Sequence, residues 1–181
     1  MEQKQLREGL KRLHSYVRQL DFQSTFLKAG PEVLMDSLVI PLQVGELNID
    51  ISCNYIDIQD VGPLLQFYGQ IVLDELIDEA NPPVFEERIL DFVNRLNLIL
   101  PIGQLLYLSD ENDGDGQKIL GIRYTLPAEL EKDSDLKKCV KILMLLMRIY
   151  EFLCSCLILF LDGDSMDSIL DTIRQMLNPE M

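Results

Sequence analysis

A chain of 181 residues with 48% hydrophobic and 25% charged positions has the balance of a globular domain, long enough to bury roughly 70% of its unfolded surface around one core. Its net charge of −14 disfavours nucleic acid and anionic membrane as partners, because both need a basic field. The opening "MEQKQLREGLKRLHSYVRQL" is charged throughout, so no signal peptide is expected there, and residues 1–181 are read as a single domain.

The first segment is an amphipathic helix. Leu6, Leu10, Leu13, Val17 and Leu20 recur at four- and three-residue spacing and form one apolar stripe. Lys4, Arg7, Lys11 and Arg18 fall on the opposite face. Such a basic stripe is most simply a solvated surface. It is also the candidate partner-docking face, suited to acidic groups of a partner or of a second copy. His14, the only histidine, sits beside the apolar stripe, which suits a partly buried or surface histidine better than a catalytic base.

Gly30-Pro31 then breaks the chain. "VLMDSLVIPLQV" reads as a strand and Gly45 as a turn. "LNIDISCNYIDI" alternates: Leu47, Ile49, Ile51, Cys53 and Tyr55 face one way, and Asn48, Asp50, Ser52 and Asn54 the other, as in a half-buried antiparallel strand. The pattern slips at Ile56, which suggests a bulge or the strand's end. "LLQFYGQIVLDEL" satisfies both the helical and the strand period; its aromatics, Gly69 and the preceding Gly62-Pro63 favour a third strand.

Asn81-Pro82-Pro83 starts a second helix, with proline tolerated in its first turn. Phe85, Ile89, Phe92, Val93 and Leu96 form its buried face, and Glu86 and Glu87 lie near the N-terminus, where the helix dipole favours acids. Pro101 ends it. "IGQLLYLS" and "KILGIRYTLP" are two further strands; in the second, Leu120, Ile122, Tyr124 and Leu126 alternate onto one face. A third helix is expected from Leu136 to Leu161, apolar almost all round from Ile142 onward. Lys141, Arg148 and Glu151 interrupt it, leaving no uncharged run near the roughly 18 to 20 residues that span a bilayer, so it is read as a buried helix rather than a membrane span. A C-terminal helix over residues 164–178, with Asp164 as its cap, places Ile169, Leu170, Ile173, Met176 and Leu177 on one face. The expected fold is α+β, an antiparallel sheet packed against helices in the order α-β-β-β-α-β-β-α, plus the C-terminal helix.

Chemical motifs are sparse. The stretch DENDGDG between the last two strands looks like a calcium loop, but an EF-hand needs acid or amide at positions one, three and five, glycine at six and glutamate at twelve. Starting at Asp110 puts Gly114 at five, Asp115 at six and Gly121 at twelve; starting at Asp113 puts Gln117 at five and Lys118 at six. Both registers fail, and the stretch reads as a hairpin tip. Cys53, Cys139, Cys154 and Cys156 contain no CxxC pair, and residues two apart on a helix point away from each other, so reduced core thiols in a cytoplasmic protein are expected. No GxSxG, Walker A, GxGxxG or HExxH occurs, and no cofactor, metal or catalytic residue is assigned. "DELIDEA" and "EER" read as solvated charge.

"ILDFVNRLNLILPIGQLLYLSDENDGDGQKILGIRYTLPAEL", residues 89–130, holds a helix ending in an Asn-x-x-Asn pair (Asn94 and Asn97) and a Pro-x-Gly lead into a strand (Pro101 and Gly103). An Asp/Gly hairpin and a strand closing on Leu126-Pro127 follow. In this order the features resemble the YbjN-like sensory transduction regulator family, also called the type III secretion chaperone-like family. The resemblance implies an α+β fold and non-catalytic protein binding, since type III secretion chaperones dimerise and hold extended segments of clients. It transfers no functional residue. Asn94 and Asn97 are expected to satisfy backbone groups where helix meets strand, and the helix after Gly163 is an addition to the family pattern.

The expected function is therefore a non-enzymatic, cytoplasmic, chaperone-like or regulatory protein-binding module. A homodimer is expected because the sheet and the C-terminal helix leave part of the apolar third helix to cover; the competing arrangement sandwiches that helix between the first and last helices of a monomer. An enzyme using surface carboxylates on the same fold, and a subunit of a larger assembly, are the alternatives. The failed EF-hand registers carry a prediction of their own. A ligand present at a hundred times its dissociation constant stabilises a native state by about 2.7 kcal/mol. Millimolar calcium is expected to leave the thermal midpoint unchanged, and a rise of several degrees reversed by chelator would show that the loop binds it.

Overall fold

The computed structural model describes residues 3–31, 33–44, 47–58, 60, 62–73, 82–109, 117–130 and 132–177, with the side chains of 47–48, 82–84 and 174–177 excepted. The order is α1 (Gln3–Gln19), β1 (Thr25–Leu27), β2 (Ser37–Val44), β3 (Leu47–Ile58), β4 (Gly62–Val72), α2 (Pro82–Asn97), β5 (Gln104–Ser109), β6 (Lys118–Leu126), α3 (Asp133–Leu161) and α4 (Met166–Leu177). The fold is α+β: six antiparallel strands in the order β1-β2-β3-β4-β6-β5 make one sheet, and the helices pack on one of its faces.

Period-2 alternation decides which residues meet the helices. Leu38, Ile40 and Leu42 of β2, Ile49, Ile51 and Cys53 of β3, Leu65, Phe67 and Ile71 of β4, and Leu120, Ile122 and Leu126 of β6 are buried on the inner face. Leu10, Leu13 and Val17 pack α1 over the β1–β2 side, while α2 covers β5 with Ile89, Phe92, Val93 and Leu96. Leu20 falls just past the end of α1 and is exposed. Between them runs α3, twelve of whose residues are buried. Its Tyr150 lies against Gly69 of β4, where a β-carbon would collide with the ring and hydroxyl, and donates its hydroxyl to the Ile122 carbonyl of β6 at 3.3 Å. At the far end of α3, Phe160 is clamped by α2. The Phe92 ring is 5.0 Å away, Arg88 stacks 4.7 Å above the Phe160 ring, and the same guanidinium donates to the Phe160 carbonyl at 3.0 Å.

The Asn pair divides. Asn97, in the last turn of α2, donates its amide to the Leu105 carbonyl at 3.1 Å and accepts from the Leu105 N–H at 2.8 Å. A side chain thus pairs with edge strand β5 as a neighbouring strand would. Asn94 is exposed, with no such role.

Several expectations need correction. The sheet has a sixth strand, β1; three residues are too few to show an alternation, and pairing with β2 from Thr25↔Val39 to Leu27↔Ser37 creates it. The second strand begins at Ser37 rather than Val33. No bulge interrupts β3: Ile56 pairs with Leu64 on the outer face and the ladder continues to Ile58↔Gly62, so the slip marks an apolar spot on the outer side. The ambiguous third segment is strand, paired with β3 from Gly62 to Gln70 and with β6 from Leu65 to Val72; its predicted residues after Leu73 lie outside the described residues, as do Gly45, Asn81 and the DENDGDG tip. The third helix starts a turn earlier, at Asp133. Ser165, not Asp164, caps α4: its hydroxyl accepts the Ser168 N–H at 3.2 Å and its carbonyl the Ile169 N–H at 3.0 Å. By length and hydropathy α3 would suit a bilayer, yet in this fold it is the central helix of the core.

Gly69→Ala tests how closely α3 lies on the sheet. Overpacking of this kind is expected to cost about 2 to 3 kcal/mol in denaturant unfolding, with much of the loss recovered when Tyr150→Leu is added. No loss in the single variant would mean that α3 does not sit against β4.

Candidate functional site

The basic stripe of α1 is built as the sequence suggests, but the fold splits it. Arg7 is half-buried, and its Nε donates to Asp36 Oδ2 at 2.7 Å. Lys11 pairs with Glu8 one turn away at 2.9 Å. Lys4 and Arg18 are exposed. Arg7 lines a cleft with Asp36, Lys11 a groove between α1 and the start of α3, and Arg18 a third hollow beside Asp21 and Thr25. The four cations lie along one helix side but converge on no common site.

The Arg7 cleft, about 340 Å³, lies between α1, the Leu34–Asp36 segment and β3. Two carboxylates line it, Asp36 and Asp57. Burial pushes the Asp36 carboxyl up, but the Arg7 guanidinium and the Ala29 N–H, donating at 2.9 Å, together hold it below the usual carboxylate range. An ionised, doubly bonded carboxylate joins α1 to the segment between β1 and β2; it is not poised to deliver a proton. Asp36 was invisible as a partner in the sequence because 29 residues separate it from Arg7.

The nucleophile candidates are embedded in the core. All four cysteines are free and buried. Burial pushes the thiols of Cys139 and Cys156 up to about 12 and that of Cys154 to about 11, so none is a ready thiolate at neutral pH. Half-buried His14 donates from Nε2 to the Ser24 carbonyl at 3.2 Å, fastening α1 to the residue before β1. Among the described residues, no three of His, Cys, Asp and Glu come together as a metal site.

Two surfaces that periodicity did not single out remain. The first is the outer face of the sheet, over which no helix packs among the described residues. There Val72, Ile119 and Leu108 align across β4, β6 and β5, with Leu106 in the next row opposite Gly121. Tyr68 lies over Gly121, where a β-carbon would come within 2.9 Å of the ring, and Arg123 stands exposed beside it. Leu108 is 48% exposed. The second is the outward side of α3, where Met144, Leu145 and Ile158 are exposed although α1 and α4 flank the helix. Alternation gave the polar members of β3 as the outer face; the apolar patch sits on β4, β5 and β6, where both faces carry apolar residues.

Asp36→Ala removes the shared acceptor of Arg7 and Ala29. It is expected to destabilise the protein by about 1.5 to 3 kcal/mol at neutral pH. Because the native carboxyl titrates below its unfolded value of roughly 3.9, that stabilisation is present above this value and is lost as pH falls through the lowered native pKa. Denaturant midpoints of wild type and variant should therefore converge on acidification, and a constant gap would show that the ion pair contributes nothing.

In comparisons with known proteins, no protein-family model, no curated protein and no solved structure matches this chain.

Proposed function

We propose that this chain is a non-enzymatic, cytoplasmic protein-binding module of chaperone-like or regulatory type, acting as a homodimer. The observation that carries the reading is the row Val72–Ile119–Leu108 with Leu106 and Tyr68, an apolar and aromatic patch on a sheet face that no helix covers among the described residues. Contiguous apolar surface of this kind is characteristic of sites that receive another protein. An open sheet face with an apolar row beside mixed and polar ones suits an extended segment, whose alternate side chains can rest on it. Arg123 at the patch margin gives such a segment a cation to pair with, and the adjoining Gln66 and Gln70 offer neutral donors and acceptors. The ionised Asp36, the buried thiols and the carbonyl-bound His14 support binding rather than catalysis as the role of this fold. The motif order of residues 89–130 points the same way.

The test is capture from native lysate on immobilised wild type, followed by the same capture on Leu108→Glu/Ile119→Glu. A stoichiometric protein retained by the wild type and lost by the double variant, with the thermal midpoint of the variant within a few degrees, is the expected outcome. A partner retained equally by both proteins would move the site off the outer sheet face, and turnover of a small molecule by the isolated chain would overturn the non-enzymatic reading.

A further inference from the structure

We infer that two copies associate by packing the outward side of α3 against itself, antiparallel, about a two-fold axis crossing the helix between Glu151 and Phe152. The inference rests on the homodimer in the proposed function and supplies its interface and orientation. Its first support is spacing. Lys141, Leu145, Arg148, Phe152, Ser155, Leu159 and Asp162 follow one another at alternating four- and three-residue intervals, with Met144, Glu151 and Ile158 beside them. The spacing keeps these residues on one side of the helix over the whole run, with apolar Leu145, Phe152 and Leu159 alternating with polar Lys141, Arg148, Ser155 and Asp162. The run from Lys141 to Asp162 is about 33 Å long at 1.5 Å per residue. Met144 is 52% exposed, Leu145 40% and Ile158 54%, while Lys141, Arg148 and Ser155 are exposed and Phe152 and Leu159 half-buried.

The second support is self-complementarity. A two-fold interface requires that if one residue meets another, the reverse pair also occurs. Reversing the seam about the midpoint of Glu151 and Phe152 sets Leu145 opposite Ile158, Met144 opposite Leu159, Arg148 opposite Ser155, and Lys141 opposite Asp162. Apolar residues meet apolar residues and charge meets an opposite charge or a hydroxyl, except at the axis, where Glu151 of each copy meets Phe152 of the other. At the centre, Arg148 and Glu151 already neutralise one another within each copy at 2.7 Å.

Charge fixes the direction. Lys137, Lys138 and Lys141 stand exposed toward the N-terminal end of α3, and Asp162 and Asp164 stand exposed beyond its C-terminal end. An antiparallel pair brings the lysines of one copy to the aspartates of the other, and opposed helix dipoles add to the attraction. A parallel pair would stack lysine on lysine. This pattern has no purpose for an unrelated client, which needs no symmetry about a midpoint. The groove between α1 and α3 reaches α3 at Asp133 and Leu136, before the seam begins.

Sedimentation of the full chain across the micromolar range is the test, with circular dichroism to confirm folding. Wild type is expected to approach twice the monomer mass, and Leu145→Glu/Ile158→Glu to remain monomeric with its melting temperature little changed. Lys141→Asp alone and Asp162→Lys alone should each weaken association about tenfold, since two pairs per dimer become repulsive. The double exchange Lys141→Asp/Asp162→Lys should restore it. Only an antiparallel seam predicts that restoration, and both positions are exposed, so it can be read even if the glutamate variant fails to fold. A wild type monomeric at every concentration overturns the dimer while leaving the sheet-face capture result to stand on its own. A dimer indifferent to these substitutions, or a double exchange that fails to restore, places the interface elsewhere.

Discussion

The contact on which the rest of the molecule depends is Tyr150 against Gly69. An aromatic side chain on the central helix reaches the central strand only because that strand carries no β-carbon at the point of contact, and its hydroxyl is satisfied by the neighbouring strand at the Ile122 carbonyl. This fixes both the height of α3 above the sheet and its rotation about its own axis. With Tyr150 facing in, Leu143, Leu146, Leu153 and Leu157 must follow it into the core, and Met144, Leu145 and Ile158 must face out. The exposed side of the helix is thus decided by one residue type on a strand some eighty positions earlier.

The same packing accounts for what the sequence disclosed and what it withheld. The β3 and β6 strands were legible because each has one clearly apolar face, and the period of two leaves a single way to lay such a strand on a core. The short β1 was not, since its conformation is borrowed from β2 through pairing. The segment around Gly69 was ambiguous on its own; pairing on both edges made it a strand. For α3 the difficulty was reversed: apolar residues on every side conceal which side is covered, and only the seating of Tyr150 resolves it. The basic stripe of α1 was correct as a pattern, yet its meaning changed once Asp36, distant in sequence, proved to hold Arg7. Long-range partners of this kind leave no trace in local spacing.

A two-layer fold of this sort divides labour between its faces. The inner face of the sheet is committed to the core, where aliphatic residues from five strands meet those of four helices. The outer face, freed from that duty, can vary from row to row, and here it ranges from the polar Ser52 and Asn54 on β3 to Ile119 and Leu108 near the other edge. Acidic residues dominate the whole chain, so the apolar patch and the Lys137, Lys138 and Lys141 cluster on α3 stand out against a negatively charged background.

Open sheets invite growth at their borders, because an edge strand presents unsatisfied backbone groups to any strand that approaches. At β5 the Asn97 carboxamide has already taken both backbone groups of Leu105. An incoming strand would have to evict that side chain before it could form a rung at Leu105. The bond pair acts as a stopper. At that rung the edge of the sheet is closed by a side chain instead of a strand, which blunts the border from which continuous sheets and fibres grow.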